Sequence, residues 1–572
     1  MPQKQIFPIL SWLPGYKKEW LSGDISAGLT VGVMLIPQGM AYAMIAGVPP
    51  IYGLYASTFP LIIYALFGTS RQLAVGPVAI DSLLVLAGVS AFAEVGSEYF
   101  IELAILLAFI EGIILILFGF LRLGFLVNFL SKPVIGGFTA AAAIIIGVSQ
   151  LRHLLGIDIQ TSGNVFKTLL SSVTEFSNWS VLSIIIGIIG IILILSIKKI
   201  NRKIPGALLA VILSILAVYF LNLSSNSIRI VGEIPAGLPA FRLPNLNLEI
   251  IQKLLPAAFT IALIAFTEAI SVSKAIQAKH RDYEILPNQE LFAIGIANIV
   301  GSMFQSFSVT GGLGRTAVND QSGAKTGLAS LISAVLVMLT LLFLTPLFYY
   351  LPHAILASII MVAVSGLIDI KYGKHLWNTD RREFTMLIST FVATLAFGIV
   401  NGILIGVLLS IGLVIFRVSK PHLAQLGRIA GTNYYRNVLR FKEAEEFEDL
   451  LIVRFDAQLF FANCEYFKDN VLAWAEKKPK LKKVLIDAQP LTQIDSTASY
   501  MLLELIKHFN DNGVEVVFAG VTGPVRDQFR KAKLAKTLGT NHFYMNVHEA
   551  VSHHLKEGDL PPENLVSQSN EG

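Results

Sequence analysis

The chain has a single cysteine, Cys464, among 572 residues, which excludes an intramolecular disulfide framework and a multi-cysteine metal site. Charge is scarce as well. Asp, Glu, Lys and Arg make up 15% of the residues against 54% hydrophobic ones, and the mean hydropathy is +0.65. Roughly the first three quarters of such a chain cannot be a water-soluble globule. The net charge of +5 is too small to point to a partner by itself. There is no Walker A sequence and no His-x-x-x-His or Cys-x-x-Cys pair, so neither ATP-driven work nor a bound metal has a visible carrier. The string "GLGRTA" lacks a βαβ setting and is discarded as a nucleotide site. No cofactor and no nucleic-acid partner are expected. Met1 to Leu21 holds Lys4, Lys17 and Lys18 and three prolines but no apolar run of the kind a cleavable signal needs.

What is present is a series of apolar runs of bilayer length between Ile25 and Lys420, separated by short polar turns. Their spacing predicts roughly fourteen segments, beginning at about residues 25, 47, 77, 97, 125, 178, 205, 254, 288, 309, 326, 353, 383 and 402. An even number puts both termini on one side. Lys198, Lys199, Arg202, Lys203, Lys274, Lys279, Arg281, Lys371, Lys374, Arg381 and Arg382 share that side, whereas the longer opposite loops hold Arg152, Lys167, Arg229, Arg242 and Lys253. By the positive-inside rule both termini are cytoplasmic, and the membrane expected is the plasma (inner) membrane. The expected divisions are a cytoplasmic N-terminal segment 1–22 and a polytopic α-helical transmembrane domain 23–420.

Two of the apolar stretches are interrupted, "RQLAVGPVAIDSLLVL" from Arg71 and "FQSFSVTGGLGRTAV" from Phe304. Each reads as a few extended residues, then Gly or Pro, then a short helix. In lipid an unpaired backbone group costs several kcal/mol unless it lines a cavity, and such a pair in corresponding positions points to a transporter's binding site. Each is third in its half of a 7+7 division, with opposite directions through the membrane, as in an inverted repeat. The two short helices would then offer free N–H groups and positive dipole ends to an anion.

After Lys420 the composition turns soluble. "EDLLIVRFDAQLFFANCEYFKDNVLAWAE" reads as a strand, a turn and an amphipathic helix, "KKVLIDAQPLTQIDSTASYMLLELIKHFNDNG" as a buried strand, a loop and a second helix, and "VEVVFAGV" as a further strand. The alternation predicts an α/β domain with a mostly parallel sheet over 446–557, reached through a linker, 421–445, and followed by a polar tail, 558–572.

The segments "MLIPQGMAYAMIAGVPP", "PPIYGLYASTFPLIIYALFGTSRQLAVGP", "VGEIPAGLP" and "NQELFAIGIANIVGSMFQSFSVTGGLGRTAVND" resemble the signatures of the SulP family of sulfate permeases and anion exchangers. The resemblance extends over nearly the whole chain, and the soluble part is similar to a STAS domain. It implies a uracil-permease-like fold with a core of segments 1 to 4 and 8 to 11 and a gate of segments 5 to 7 and 12 to 14. It further implies a homodimer and a small anion as substrate. In related STAS proteins a Ser before a helix is phosphorylated, and "IDSTAS" puts Ser496 and Thr497 there. Capping of that helix by Asp495 and Ser496 is the alternative use.

Four pieces make up the expected site. Arg315, one turn into the second short helix, is the cation expected near the membrane centre, where a charge is costly and marks function; the resemblance makes it the basic residue beside the substrate. An ion pair that stabilises the core is the other reading. The backbone amides of Val78, Ala79, Gly312, Leu313 and Gly314 open the two helices, although the glycines also suit tight packing. Many family members carry Ser where Gly314 stands, so this chain lacks one hydroxyl donor. Gln38 and Tyr42, four apart, share one face of the first segment; the family assigns that face to the pocket, and helix packing is the alternative. Glu268 lies over half-way along segment 8, where a carboxylate is costly unless protonated or paired. In proton-coupled relatives this position carries the coupling carboxylate, and a permanent pair with Arg315 is the alternative. Asp81, Glu102 and Glu111 are further polar intrusions, with Glu102 expected near the outer surface and Glu111 deeper.

The expected function is therefore secondary active transport of a small inorganic anion, sulfate first, with proton symport, and not enzymatic catalysis. Sodium-coupled transport of hydrogencarbonate or a dicarboxylate stands behind it, then a receptor or voltage-sensing motor that does not transport. A permease for neutral nucleobases would need a carboxylate where Arg315 stands.

Overall fold

The computed structural model describes residues 7–125, 131–157, 165–200, 205–223, 228–280, 283–539 and 542–555. Arg202, Lys203, Arg281 and the tail 558–572 lie outside the described residues. The chain divides into two compact units, residues 1–410 and 411–572.

In the first unit the apolar runs form α1 (Lys18–Ala46), α2 (Pro50–Phe67), α3 (Ala79–Val89), α4 (Glu98–Phe120), α5 (Lys132–Leu155), α6 (Val181–Ile200), α7 (Gly206–Phe220), α8 (Leu248–His280), α9 (Pro287–Met303), α10 (Leu313–Gln321), α11 (Leu328–Phe348), α12 (His353–Ser365), α13 (Arg381–Phe397) and α14 (Ile399–Ser419). The last of these runs on into the second unit. Among the described residues nine helices are long and apolar enough to cross a membrane; α3 and α10 are shorter because each is only half of a broken segment. The strands β1 (Val75–Gly76) and β2 (Thr310–Gly311) lead into these two helices and pair antiparallel, Val75 with Gly311 and Gly76 with Thr310.

Two packing groups result. The helix pairs α1/α11, α4/α9, α4/α8 and α2/α9 build one, and α5/α13, α6/α12 and α6/α7 build the other, the core and gate arrangement that the resemblance implies. Within the core, helices meet backbone to backbone. A Cβ at Gly112 of α4 would stand 2.6 Å from the Gly295 carbonyl of α9, and one at Gly295 would stand 2.8 Å from the Gly112 carbonyl. Without a hydrophobic drive between helices in lipid, such close approach supplies the van der Waals contact that holds them.

The extended strands leave main-chain groups that helices would otherwise pair. Side chains take over. Asn298 of α9 accepts from the Val309 amide and donates to the Val309 carbonyl, both at 2.9 Å. Thr310 donates to the Ala265 carbonyl at 2.7 Å, Thr316 accepts from the Ala74 amide at 3.0 Å, and Asn319 donates to the Gln72 carbonyl at 2.8 Å.

The second unit contains a seven-stranded sheet of β3 (Leu423–Ile429), β4 (Tyr435–Asn437), β5 (Ala444–Glu445), β6 (Leu450–Phe455), β7 (Lys483–Asp487), β8 (Glu515–Ala519) and β9 (Phe543–Tyr544) in the order β4-β3-β6-β7-β8-β9, with β5 on β3. Strands β6 to β9 run parallel. Their near-continuous apolar runs are covered by α15 (Cys464–Glu476) and α16 (Ser496–Asp511) on one face and α18 (Val547–His554) on the other, while α17 (Gly523–Lys531) joins the first layer. The stretch read as a linker, 421–445, instead supplies β3, β4 and β5. Its alternation is partial: Ala424 and Leu426 are buried and Leu423 and Gln425 half-buried, on a strand that pairs antiparallel with β6 on one side and β4 and β5 on the other.

Candidate functional site

Neither short helix of the broken segments has a side-chain cap. Val78 and Gly312 are the extended N-cap residues, and no side chain accepts from the first turns. The first intrahelical bonds are Ser82 N–H to Val78 and Thr316 N–H to Gly312, both 3.0 Å. The amides of Ala79, Ile80 and Asp81, and those of Leu313, Gly314 and Arg315, therefore have no acceptor within their own helices. Ile80 and Leu313 both reach one cavity of about 270 Å³. Its core side also carries Thr267, Glu268 and Ser271 of α8, and its gate side Val134, Phe138 and Thr139 of α5 with Leu367 and Ile403. The cavity thus lies along the seam between the two packing groups, with its polar groups chiefly on the core side.

Arg315 is buried, at 3% exposure. Its Nη1 donates to the Pro77 carbonyl at 2.8 Å, while Nε and Nη2 have no hydrogen-bond partner among the described residues. Gly76 and Gly312 make room for the guanidinium, since Cβ atoms there would stand 3.3 and 2.9 Å from its Nη2. At Gly314, which is exposed, a Cβ would meet nothing within 4 Å, so the face beside Arg315 is open. A cation in the first turn of a helix opposes the macrodipole. Here that unfavourable placement combines with six free amides, an arrangement that stabilises negative charge.

Glu268 lies within electrostatic reach of Arg315, and its Oε2 is buried without a partner. Among the described residues no ion pair joins the two, so the permanent pair that the sequence left open is not formed. Tyr42, buried, is within electrostatic reach of both Arg315 and Glu268. Gln38, one turn away on α1, is half-buried. Of the residues expected from sequence, Leu313 and Glu268 line the cavity directly. Val78, Ala79, Gly312 and Gly314 belong to the ends of the two helices that reach it, whereas Arg315, Tyr42 and Gln38 do not line it. Glu102 pairs with Arg242 at 3.0 Å, half-exposed, whereas Glu111 is fully buried, as the sequence suggested. Ser496 and Thr497 are exposed at the start of α16, and the cap is made by Asp495, which accepts from the Ala498 amide at 2.8 Å.

Two buried carboxylates had no role in the sequence reading. Glu290 of α9 accepts from the Tyr64 hydroxyl at 2.7 Å, the Thr69 amide and hydroxyl at 2.6 Å each and the Ser70 amide at 3.2 Å. Asp24 of α1 accepts from the Lys325 and Thr326 amides, the Thr326 hydroxyl and the Tyr16 hydroxyl at 2.7 to 3.0 Å. They brace the loop that leads into β1 and the one that leaves α10. Glu290 lies inside "NQEL", where its neighbouring amides signalled a polar role without indicating the partner.

Comparison with known proteins identifies the family and the fold. The sulfate permease family model matches residues 21–390, and the STAS domain model matches residues 441–550. The chain is 39% identical over 566 residues to probable sulfate transporter 4.2 of Arabidopsis thaliana, covering 96% of this chain and 83% of that one. It is 34% identical over 573 residues to high affinity sulfate transporter 2 of Stylosanthes hamata, covering 96% and 86%. Among solved structures it is similar to the murine Solute Carrier 26 family member A9 anion transporter in the inward-facing state, with a TM-score of 0.88 at 25% identity and 96% and 94% coverage. The transmembrane domain of the cyanobacterial bicarbonate transporter BicA superposes with a TM-score of 0.61 at 25% identity, covering 69% of this chain and 99% of that one.

Proposed function

Because the chain belongs to the sulfate permease family and is a multi-pass membrane anion transporter, we propose that its substrate is sulfate and that sulfate crosses with protons taken up at Glu268. The observation that carries the reading is Arg315. It has two N–H directions without an acceptor, at a helix end that repels a cation unless an anion is present. A dianion between the two uncapped helix ends would satisfy both, with Gln38 and Tyr42 closing the α1 side. The core would then carry it past the apolar gate wall by alternating access, the motion that inverted repeats permit. The sulfate transporters among the relatives support the choice of anion. A proton on Glu268 removes a negative charge that would oppose the dianion beside Arg315.

The test is uptake of labelled sulfate into proteoliposomes with choline in place of sodium. Acid outside should drive concentrative uptake, and Glu268→Gln should abolish the pH dependence while sparing binding. Uptake that needs sodium and ignores pH would put sodium-coupled hydrogencarbonate or dicarboxylate transport in its place. Binding without accumulation would leave a receptor or motor. The distribution of Lys and Arg supports a plasma-membrane orientation with both termini cytoplasmic, and the family resemblance supports a homodimer. Exposure of Ser496 and Thr497 at an N-terminus favours added negative charge there, which supports phosphorylation as a regulatory input.

A further inference from the structure

Behind the anion site two carboxylates have no role in the reading above. Asp81 of α3 and Glu111 of α4 are both fully buried, and among the described residues none of their four oxygens has a partner in good hydrogen-bonding geometry. Asp81 lies within electrostatic reach of Glu268 and Glu111. Beside Glu111 is the Ser308 hydroxyl, fully buried. Ser308 belongs to the extended segment that runs through β2 into α10. The second carboxylate therefore abuts the same strand that positions Arg315.

The charges around this group do not balance if all are ionised. α3 packs against α1, α4, α5 and α8. The titratable groups that these helices bring to it are Tyr42, Glu111 and Glu268. On α5, Lys132 stacks on Tyr372 and Arg152 bonds His153. Against Glu111, α9 brings Glu290, which is saturated by Tyr64, Thr69 and Ser70. Asp320 of α10 is held by Lys279 and His280. One guanidinium, Arg315, thus stands beside a chain of three carboxylates and reaches it through Glu268. Three buried charges against one cation cost several kcal/mol, so the number of protons the group holds follows the charge that stands at Arg315. A dianion arriving there raises that number by simple repulsion.

We propose that Asp81 and Glu111, with the Ser308 hydroxyl between their helices and the substrate strand, form a second exchangeable-proton site that loads as the anion binds. The ligand is a proton rather than a metal ion: among the described residues no group of three or more His, Cys, Asp or Glu side chains is placed to hold one. This deepens the proton-coupled reading of Glu268 and rests on it.

The experiment counts protons taken up per sulfate bound by the full-length protein in weakly buffered detergent solution at neutral pH, with choline as the only added cation. Wild type should take up more than one proton per sulfate. Asp81→Asn and Glu111→Gln should each lower the number while sulfate still binds, and Glu268→Gln should leave a residual uptake. One proton or fewer in wild type overturns the second site, as does complete loss of uptake in a Glu268→Gln protein that still binds sulfate. That last result would leave the Glu268 reading intact, whereas no uptake at all in wild type would remove both. The wild-type count decides the matter even if a variant fails to fold.

Discussion

Buried carboxylates occur in two settings in this membrane domain, and they differ in what surrounds them rather than in depth. Asp24 and Glu290, both at 0% exposure, each accept four hydrogen bonds from hydroxyls and main-chain amides at the ends of the broken segments. Among the described residues Asp81 and Glu111, at the same exposure, have no partner in good hydrogen-bonding geometry. The first pair is saturated with hydrogen bonds, and so fixes loops in place. The second pair has no structural reason to be charged. A buried ionisable group that stabilises nothing in the resting fold is what a carrier needs in order to change its charge during a cycle. Stability and function are divided between the two sets.

The strongest challenge to this division lies at the cation. Arg315→Ala should remove the charge that gathers the anion, costing about 2–5 kcal/mol of binding and abolishing measurable transport, with the protein still folded. Lysine should rescue only in part, because it lacks the planar fork that matches an oxyanion. Normal transport by the alanine variant would leave the helix ends as the attractor.

The division itself is tested by paired substitutions. Glu290→Gln puts an amide nitrogen where one accepting oxygen stood and leaves buried donors unpaired at about 1–3 kcal/mol each, so it should sharply lower the temperature at which the detergent-solubilised protein loses monodispersity. Asp81→Asn should stay within about 1 kcal/mol of wild type, since an amide replaces a group that made no bonds. Equal destabilisation by the two would collapse the comparison.

A third setting, partly exposed, should give the smallest effect. Burial pushes the Asp449 carboxyl up, but the hydrogen bond and charge of His554 and the charge of Lys482 outweigh it and hold the group below the ordinary carboxylate value. Its contribution is present above the unfolded value of about 3.9 and is lost as pH falls through the lower folded value. Asp449→Asn should speed amide exchange in α18 only slightly near neutral pH, by roughly 0.2–1 kcal/mol, and the difference should vanish in strong acid.

The long apolar runs and the two interruptions were legible because hydropathy and backbone satisfaction act locally. Helices begin within several residues of the expected positions, and the interruptions meet as strands. Arg315 and Glu268 stood out because charge in an apolar run is conspicuous. The saturation of Asp24 and Glu290 was not legible, since their partners lie 301 and 221 positions away for the Lys325 and Thr69 amides and look like ordinary loop residues. The strands of 421–445 were missed for a related reason. β3 pairs with β6 and β4 through contacts that local alternation only suggests.

The pairing of β1 with β2 also sets a schedule for biosynthesis. The Ala74 amide is satisfied by Thr316, 242 residues downstream. At about 5–20 residues per second this partner is synthesised roughly 12 to 50 s later. Throughout that interval the first broken segment is in the membrane with main-chain groups that nothing in its own half can satisfy. The insertion machinery or water must shelter it until the second half arrives, which makes ribosome pausing or truncation between the halves the step at which this fold is most exposed to quality control.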